Sequence, residues 1–110
     1  MVTIALDEDY INILRGFGEP DKLINQAVEE YLAKRIKERL GLTRRHEVEY
    51  EEKYGMDYET FHRRMALDED YYNQTNHLNP LWEQDALEWE YWHEEVRDWT
   101  SKLEAISSDF

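Results

Sequence analysis

The sequence predicts a mainly α-helical protein with one short N-terminal strand, and three patterns in its 110 residues support this. Apolar side chains recur at intervals of three and four from Leu23 to Leu40. Two rows of seven-spaced residues run from Trp82 to Ile106. Strict period-two alternation occurs only at Val2, Ile4 and Leu6, with Thr3 and Ala5 between them. A lone strand with one apolar face needs a partner for its backbone, so Val2 to Leu6 is expected to pair with its counterpart in a second copy and make a homodimer.

Asp7 is placed to cap a short helix over Glu8 to Phe17, with Tyr10, Ile11 and Leu14 on one face, before Gly16 and Gly18 break the pattern. Pro20 opens the next helix, whose apolar stripe runs through Leu23, Ile24, Ala27, Val28, Tyr31, Leu32, Ile36 and Leu40 and ends at Gly41, a good C-terminal stop. Thr43 to Tyr54 reads as a solvated helix, weakly periodic through Val48, Tyr50 and Tyr54, with Gly55 at its end. Asp57 can cap a further short helix carrying Tyr58, Phe61 and Met65, and Asp68 to Asn79 reads as a polar connector. LDEDYIN at Leu6 to Asn12 nearly recurs as LDEDYYN at Leu67 to Asn73; the residues that follow do not match, so the likeness reflects shared helix-start chemistry.

Asn79 and Pro80 mark the start of a long C-terminal amphipathic helix that should run to about Ser107. Trp82, Trp89, Val96 and Leu103 form one seven-spaced row, and Trp92, Trp99 and Ile106 form the other. Glu88, Glu90, Glu94, Glu95, Asp98 and Glu104 make the opposite surface acidic.

The formal charge is −13, which opposes spontaneous binding to nucleic acid or anionic membranes because phosphate capture needs a local excess of Lys and Arg. Charges cancel over residues 1–45, so the whole net charge belongs to residues 46–110, which also hold twelve of the fifteen aromatics. Such asymmetry divides the chain into a dimerisation module, residues 1–41, and an acidic, aromatic-rich helical region for partner binding, residues 42–110. A basic protein is the partner that fits this region. The absence of cysteine excludes disulfides and thiolate chemistry. Met1 to Leu6 meets Asp7, Glu8 and Asp9 at once, which is unlike a secretory signal, and no apolar stretch reaches membrane-span length, so the cytoplasm is the expected compartment.

His46, His62, His77 and His93 lie among many carboxylates without an HExxH or comparable spacing, and no glycine-rich phosphate loop or nucleophile elbow occurs, so no catalytic residue, metal or cofactor is expected. The tryptophan seam can pack on the helix from Asp21 to Leu40 or on another molecule. That helix is already needed for the N-terminal module, so Trp82, Trp89, Trp92, Val96 and Trp99 are expected to bind a partner.

The segments VTIAL, DEDYINIL, GFGEP and DKLINQAVEEYL resemble the ribbon-helix-helix family of dimeric DNA-binding proteins, common among antitoxins, and EKYGMDYETFHRRM is similar to a stretch downstream of the dimerisation module in such antitoxins. The resemblance covers somewhat over half the chain through short, degenerate motifs. It implies an intertwined dimer with Val2, Ile4 and Leu6 in the shared core, Thr3 and Ala5 towards DNA bases, and Lys22 at a phosphate-binding helix start. It also implies a C-terminal extension that occupies and inhibits a toxin. Thr3 offers one hydroxyl and Ala5 a methyl, whereas bidentate base reading needs longer polar side chains, and Glu19 and Asp21 flank Lys22. Operator DNA should therefore be bound weakly without a basic partner. The expected function is an antitoxin that neutralises a basic toxin, a ribonuclease among the candidates. A ribbon-helix-helix regulator without a toxin, or a small helical enzyme or metal protein with convergent carboxylates and histidines, are the alternatives.

Overall fold

A computed structural model describes residues 5–106, which form five helices: α1 (Glu8–Leu14), α2 (Pro20–Tyr54), α3 (Tyr58–Leu67), α4 (Glu69–Leu78) and α5 (Trp82–Ile106). The mainly α expectation agrees with this. The ribbon-helix-helix expectation does not, because no strand occurs among the described residues and Ala5 and Leu6 lead directly into α1. Val2, Thr3 and Ile4 lie outside the described residues. A strand needs a neighbouring backbone to complete its hydrogen bonds, and the described part of one chain offers only helices.

The helix end expected at Gly41 does not occur. α2 is one helix of 35 residues, about 52 Å long, and it passes straight through Gly41. Glycine stops a helix when its backbone turns left-handed, and Gly41 does not. The left-handed residue is Gly55, at φ 72°, whose N–H donates to the Glu51 carbonyl and closes α2. What carries the helix past Gly41 is tertiary packing: the next three turns present Thr43, His46, Glu47, Tyr50 and Tyr54 to α5, and the burial there outweighs a helix-interior glycine cost of about 1 kcal/mol.

α2 and α5 form an antiparallel hairpin, shown by partners that fall along α5 as they rise along α2: Glu47 with His93, Tyr50 with Glu88 and Lys53 with Asp85. α3 and α4 close one end. Asp57 accepts a hydrogen bond from the Thr60 N–H at 2.8 Å to cap α3, and Asp68 accepts one from the Tyr71 N–H at 3.0 Å to cap α4. The stretch read as a polar connector is thus a helix, and both LDEDY segments begin one. α5 starts at Trp82, two residues after Pro80.

At the other end α2 extends past α5. α5 finishes beside Tyr31, Leu32 and Ile36, so the earlier part of α2 is joined by α1, none of whose residues is buried. The result is a rod of 68 × 24 × 22 Å with a radius of gyration of 21.7 Å, against about 13 Å for a compact chain of similar size. Its core is correspondingly thin: Ile36, Phe61 and Trp89 are the buried apolar residues, accompanied by Thr43, Glu47 and Thr75.

Candidate partner-binding surface

The inner face of α5 is turned onto α2. Trp89 is fully buried, its ring centroid 5.0 Å from Phe61, 5.6 Å from Tyr54, 5.7 Å from Tyr58 and 5.9 Å from Tyr50. Aromatic rings at these separations attract through their quadrupoles as well as through burial. The Trp89 indole N–H finds no hydrogen-bond partner in this box.

Around the aromatic box lies a row of charged and phenolic contacts. The Tyr54 hydroxyl and the Lys53 ammonium both donate to Asp85, each at 2.6 Å, and the Tyr50 hydroxyl donates to Glu88. Burial pushes the Tyr50 and Tyr54 phenols above their usual ionisation range, and the carboxylates that accept their hydrogen bonds push them further. For Asp85, burial would raise the carboxyl, but the hydrogen bonds from Lys53 and Tyr54 outweigh it and hold the group below the usual range. One turn further along, the buried Glu47 carboxylate contacts Arg44 at 2.6 Å and His93 Nδ1 at 2.6 Å, while Arg44 also forks onto Glu51 at 2.8 and 3.0 Å. A buried carboxylate needs such partners, because an unpaired one would be strongly destabilising. Tyr58 stacks on the His93 ring at 4.9 Å, which covers the Glu47–His93 pair from one side. No group of three or more His, Asp or Glu residues suited to a metal ion occurs among the described residues.

The outer face of α5 is different in kind. Leu87 and Tyr91, one turn apart, are 68% and 50% exposed. Leu87 forms a ridge between two open grooves. One, about 510 Å³, is walled by His46, Glu49, Tyr50, Glu88, Tyr91 and Trp92, with Trp92 stacked on His46 at 4.1 Å and edge-on to Tyr91 at 4.9 Å. The other, about 340 Å³, is walled by Tyr58, His62, Trp82, Glu83, Ala86 and Glu90. Carboxylates therefore rim an exposed aromatic and aliphatic patch on both sides, and Glu94 and Asp98 are exposed further along the same helix.

Each residue singled out by sequence that lies among the described residues has a definite place. Trp89 has no exposed surface to offer. Trp82 is half-buried, with its indole N–H on Asn76 Oδ1 at 3.1 Å and its ring edge-on to Tyr72. Trp92, Val96 and Trp99 are half-buried, and the Trp99 indole donates to Glu95 at 2.8 Å with Lys102 over its ring. Leu6 lies in an apolar groove beside α1, Ala5 is exposed, and Lys22 is exposed with Glu19 3.6 Å away. Leu87, Tyr91 and Glu47 are the residues that sequence reasoning missed. Leu87 and Tyr91 carried a visible signal: they are a four-spaced apolar pair lying off both seven-spaced rows and set among glutamates.

No family model, no curated protein and no solved structure matches this chain.

Proposed function

We propose that this chain is a binding protein that captures a basic protein segment on the outer face of α5, as an antitoxin would hold a basic toxin, a ribonuclease being one candidate. One observation carries the reading: Leu87 and Tyr91 stand exposed inside a rim of carboxylates on a helix that otherwise turns its aromatics inward. Apolar anchors in shallow grooves supply most of the binding energy at protein interfaces, and acidic surroundings speed the encounter with a cationic partner. Residues 46–110 carry the entire −13, so the field that steers such a partner originates on this part of the molecule. In this reading the encounter takes place in the cytoplasm and consumes no cofactor. DNA contact is secondary to it, since Lys22 is shared with Glu19.

The test uses the full chain and, as probe, a lysine- and arginine-rich amphipathic helical peptide. Leu87→Ala combined with Tyr91→Ala should reduce affinity by about 2 kcal/mol or more, a factor near 30, with melting nearly unchanged. Glu83, Glu90 and Glu94 replaced by Lys should slow association more than they speed dissociation. Undiminished peptide binding by these folded variants would remove the outer face of α5 from the mechanism.

A further inference from the structure

At the opposite end of the rod, two grooves on α2 have complementary chemistry. The first lies between α1 and α2, about 440 Å³, and is lined by Tyr10, Ile13, Leu23, Ile24 and Val28 among other residues, none of them charged. The turn of five residues between α1 and α2 lays α1 against the first turns of α2, so Leu6, next to the acidic start of α1 at Asp7, Glu8 and Asp9, shares this groove with Ile24 and Val28. The second groove lies between α2 and the end of α5, about 610 Å³, with Ile36 and Trp99 in its walls and Arg35, Arg39 and Lys102 among its lining residues. Among the described residues no carboxylate lines it. Arg39 has no ion-pair partner among the described residues, and Arg35 reaches only the exposed Glu38 on its own helix, at 3.4 Å. Tyr31 and Leu32, 62% and 38% exposed, stand where the two grooves meet.

We infer that a second copy of this chain docks here, with its α2 antiparallel to the first and a two-fold axis beside Tyr31 and Leu32. That arrangement lays the α1 groove of each copy on the cationic groove of the other, and brings Asp7, Glu8 and Asp9 of each towards Arg35, Arg39 and Lys102 of the other. The contact occurs twice, as a closed two-fold dimer requires. Three observations choose a second copy over another occupant. The grooves complement each other in charge on one chain. The exposed apolar side chains Tyr10, Ile13, Phe17 and Val28 continue the stripe that α5 covers further along α2. Residues 1–45 are electrically neutral, whereas residues 46–110 carry −13, so repulsion between two copies is least where they meet mainly through α1 and the first half of α2. The contact is helix against helix and uses no strand. It is independent of the surface on α5, because it involves neither Leu87 nor Tyr91.

The experiment is a charge reversal in two complementary variants of the full chain, followed by sedimentation equilibrium. One variant carries Asp7→Lys, Glu8→Lys and Asp9→Lys; the other carries Arg35→Glu and Arg39→Glu. All five positions are exposed, and circular dichroism verifies that both variants remain helical. The natural chain should sediment at twice 13.5 kDa at high micromolar concentration. Each variant alone should sediment as a monomer, since each then sets like charges together, and an equimolar mixture should recover the dimer, since both contacts again join opposite charges. A monomeric natural chain, variants that each stay dimeric, or a mixture that stays monomeric would overturn the arrangement. Tyr31→Arg, at the axis, supplies the second check: it should abolish the dimer whatever the reversed pairs do, and a Tyr31→Arg dimer would equally overturn it.

Discussion

Replacing Trp89 with Ala tests whether the tryptophan seam is a folding core. Trp89 is wholly buried among four aromatic rings at 5.0 to 5.9 Å. A buried tryptophan removes up to about 250 Å² from water, which at about 25 cal/mol per Å² corresponds to about 6 kcal/mol. An extended-chain reference overstates the area, and measured Trp→Ala losses run about 3 to 5 kcal/mol, so about 4 kcal/mol is the expected loss. Against a total stability of about 5 to 15 kcal/mol this removes a large share. The melting temperature should fall by about 15 °C or more. Trp89→Phe gives the internal control. It deletes an indole N–H that has no hydrogen-bond partner, which relieves a desolvation cost of about 1 to 3 kcal/mol and offsets the lost volume. Its loss should stay below about 2 kcal/mol. Urea and thermal unfolding at one fixed protein concentration, followed by near-ultraviolet circular dichroism, would measure both. A loss under about 1 kcal/mol for Trp89→Ala, or equal losses for Ala and Phe, would refute the assignment of this ring as the centre of the fold.

Other outcomes follow from single contacts. Gly41→Ala should stabilise the protein by about 1 kcal/mol, because the site is mid-helix with open space for a Cβ, whereas Gly55→Ala should destabilise it by a similar amount through its left-handed backbone; chemical denaturation of both variants checks the sign. The phenols of Tyr50 and Tyr54 ionise less readily in the folded chain than in the unfolded one. Their contribution is thus complete below pH about 10 and is lost as pH rises beyond it, so tyrosinate absorbance should lag in the folded protein and appear with alkaline unfolding. Asp85 shifts in the opposite sense: its contribution is present above pH about 4 and is lost as pH falls further, so Asp85→Asn should flatten the acid limb of a stability profile. Glu47→Leu, which leaves Arg44 without its closest carboxylate and removes the His93 contact, should cost about 3 kcal/mol in a melting experiment, while Glu38→Leu on the exposed surface should change it little.

The parts of the fold that sequence makes legible are those in which local chemistry and packing agree. Asp57 reads as a cap and accepts the expected bond, and the seven-spaced rows of α5 mark a helix with one aromatic face. The partner of that face was not legible. A period shows that Trp89 shares a side with Trp82 and Val96, but not whether α2 or another molecule covers it. The answer rests on His46, Glu47, Tyr50 and Tyr54, whose mixed polarity disguises an inward stripe; Glu47 is buried and the others half-buried because α5 supplies their partners, His93 to Glu47, Glu88 to Tyr50, Asp85 to Tyr54 and the Trp92 ring to His46. Gly41 misleads for a related reason. Its propensity to end a helix is a small free energy, and the packing of the three following turns overrides it. The short strand drawn from Val2, Ile4 and Leu6 came from alternation alone, and Leu6 is the only one of the three among the described residues, where it borders the α1 groove rather than a sheet. For the outer face of α5, the acidic rim is legible in the sequence, whereas Leu87 and Tyr91 lie off both seven-spaced rows and a period does not show which apolar residues a helix leaves uncovered.

The rod-like shape has an electrostatic consequence. Leu87 and Lys102 are fifteen residues apart on one helix, about 22 Å, which is nearly three screening lengths at physiological ionic strength. Mobile ions therefore blind each end of α5 to the charge at the other. A cation arriving beside Leu87 neither feels the Arg35, Arg39 and Lys102 cluster nor weakens it, so loading at the two ends should be thermodynamically uncoupled as long as α2 stays straight. Only when counterions are depleted to millimolar levels, and the screening length grows towards 30 Å, would occupancy at one end register at the other.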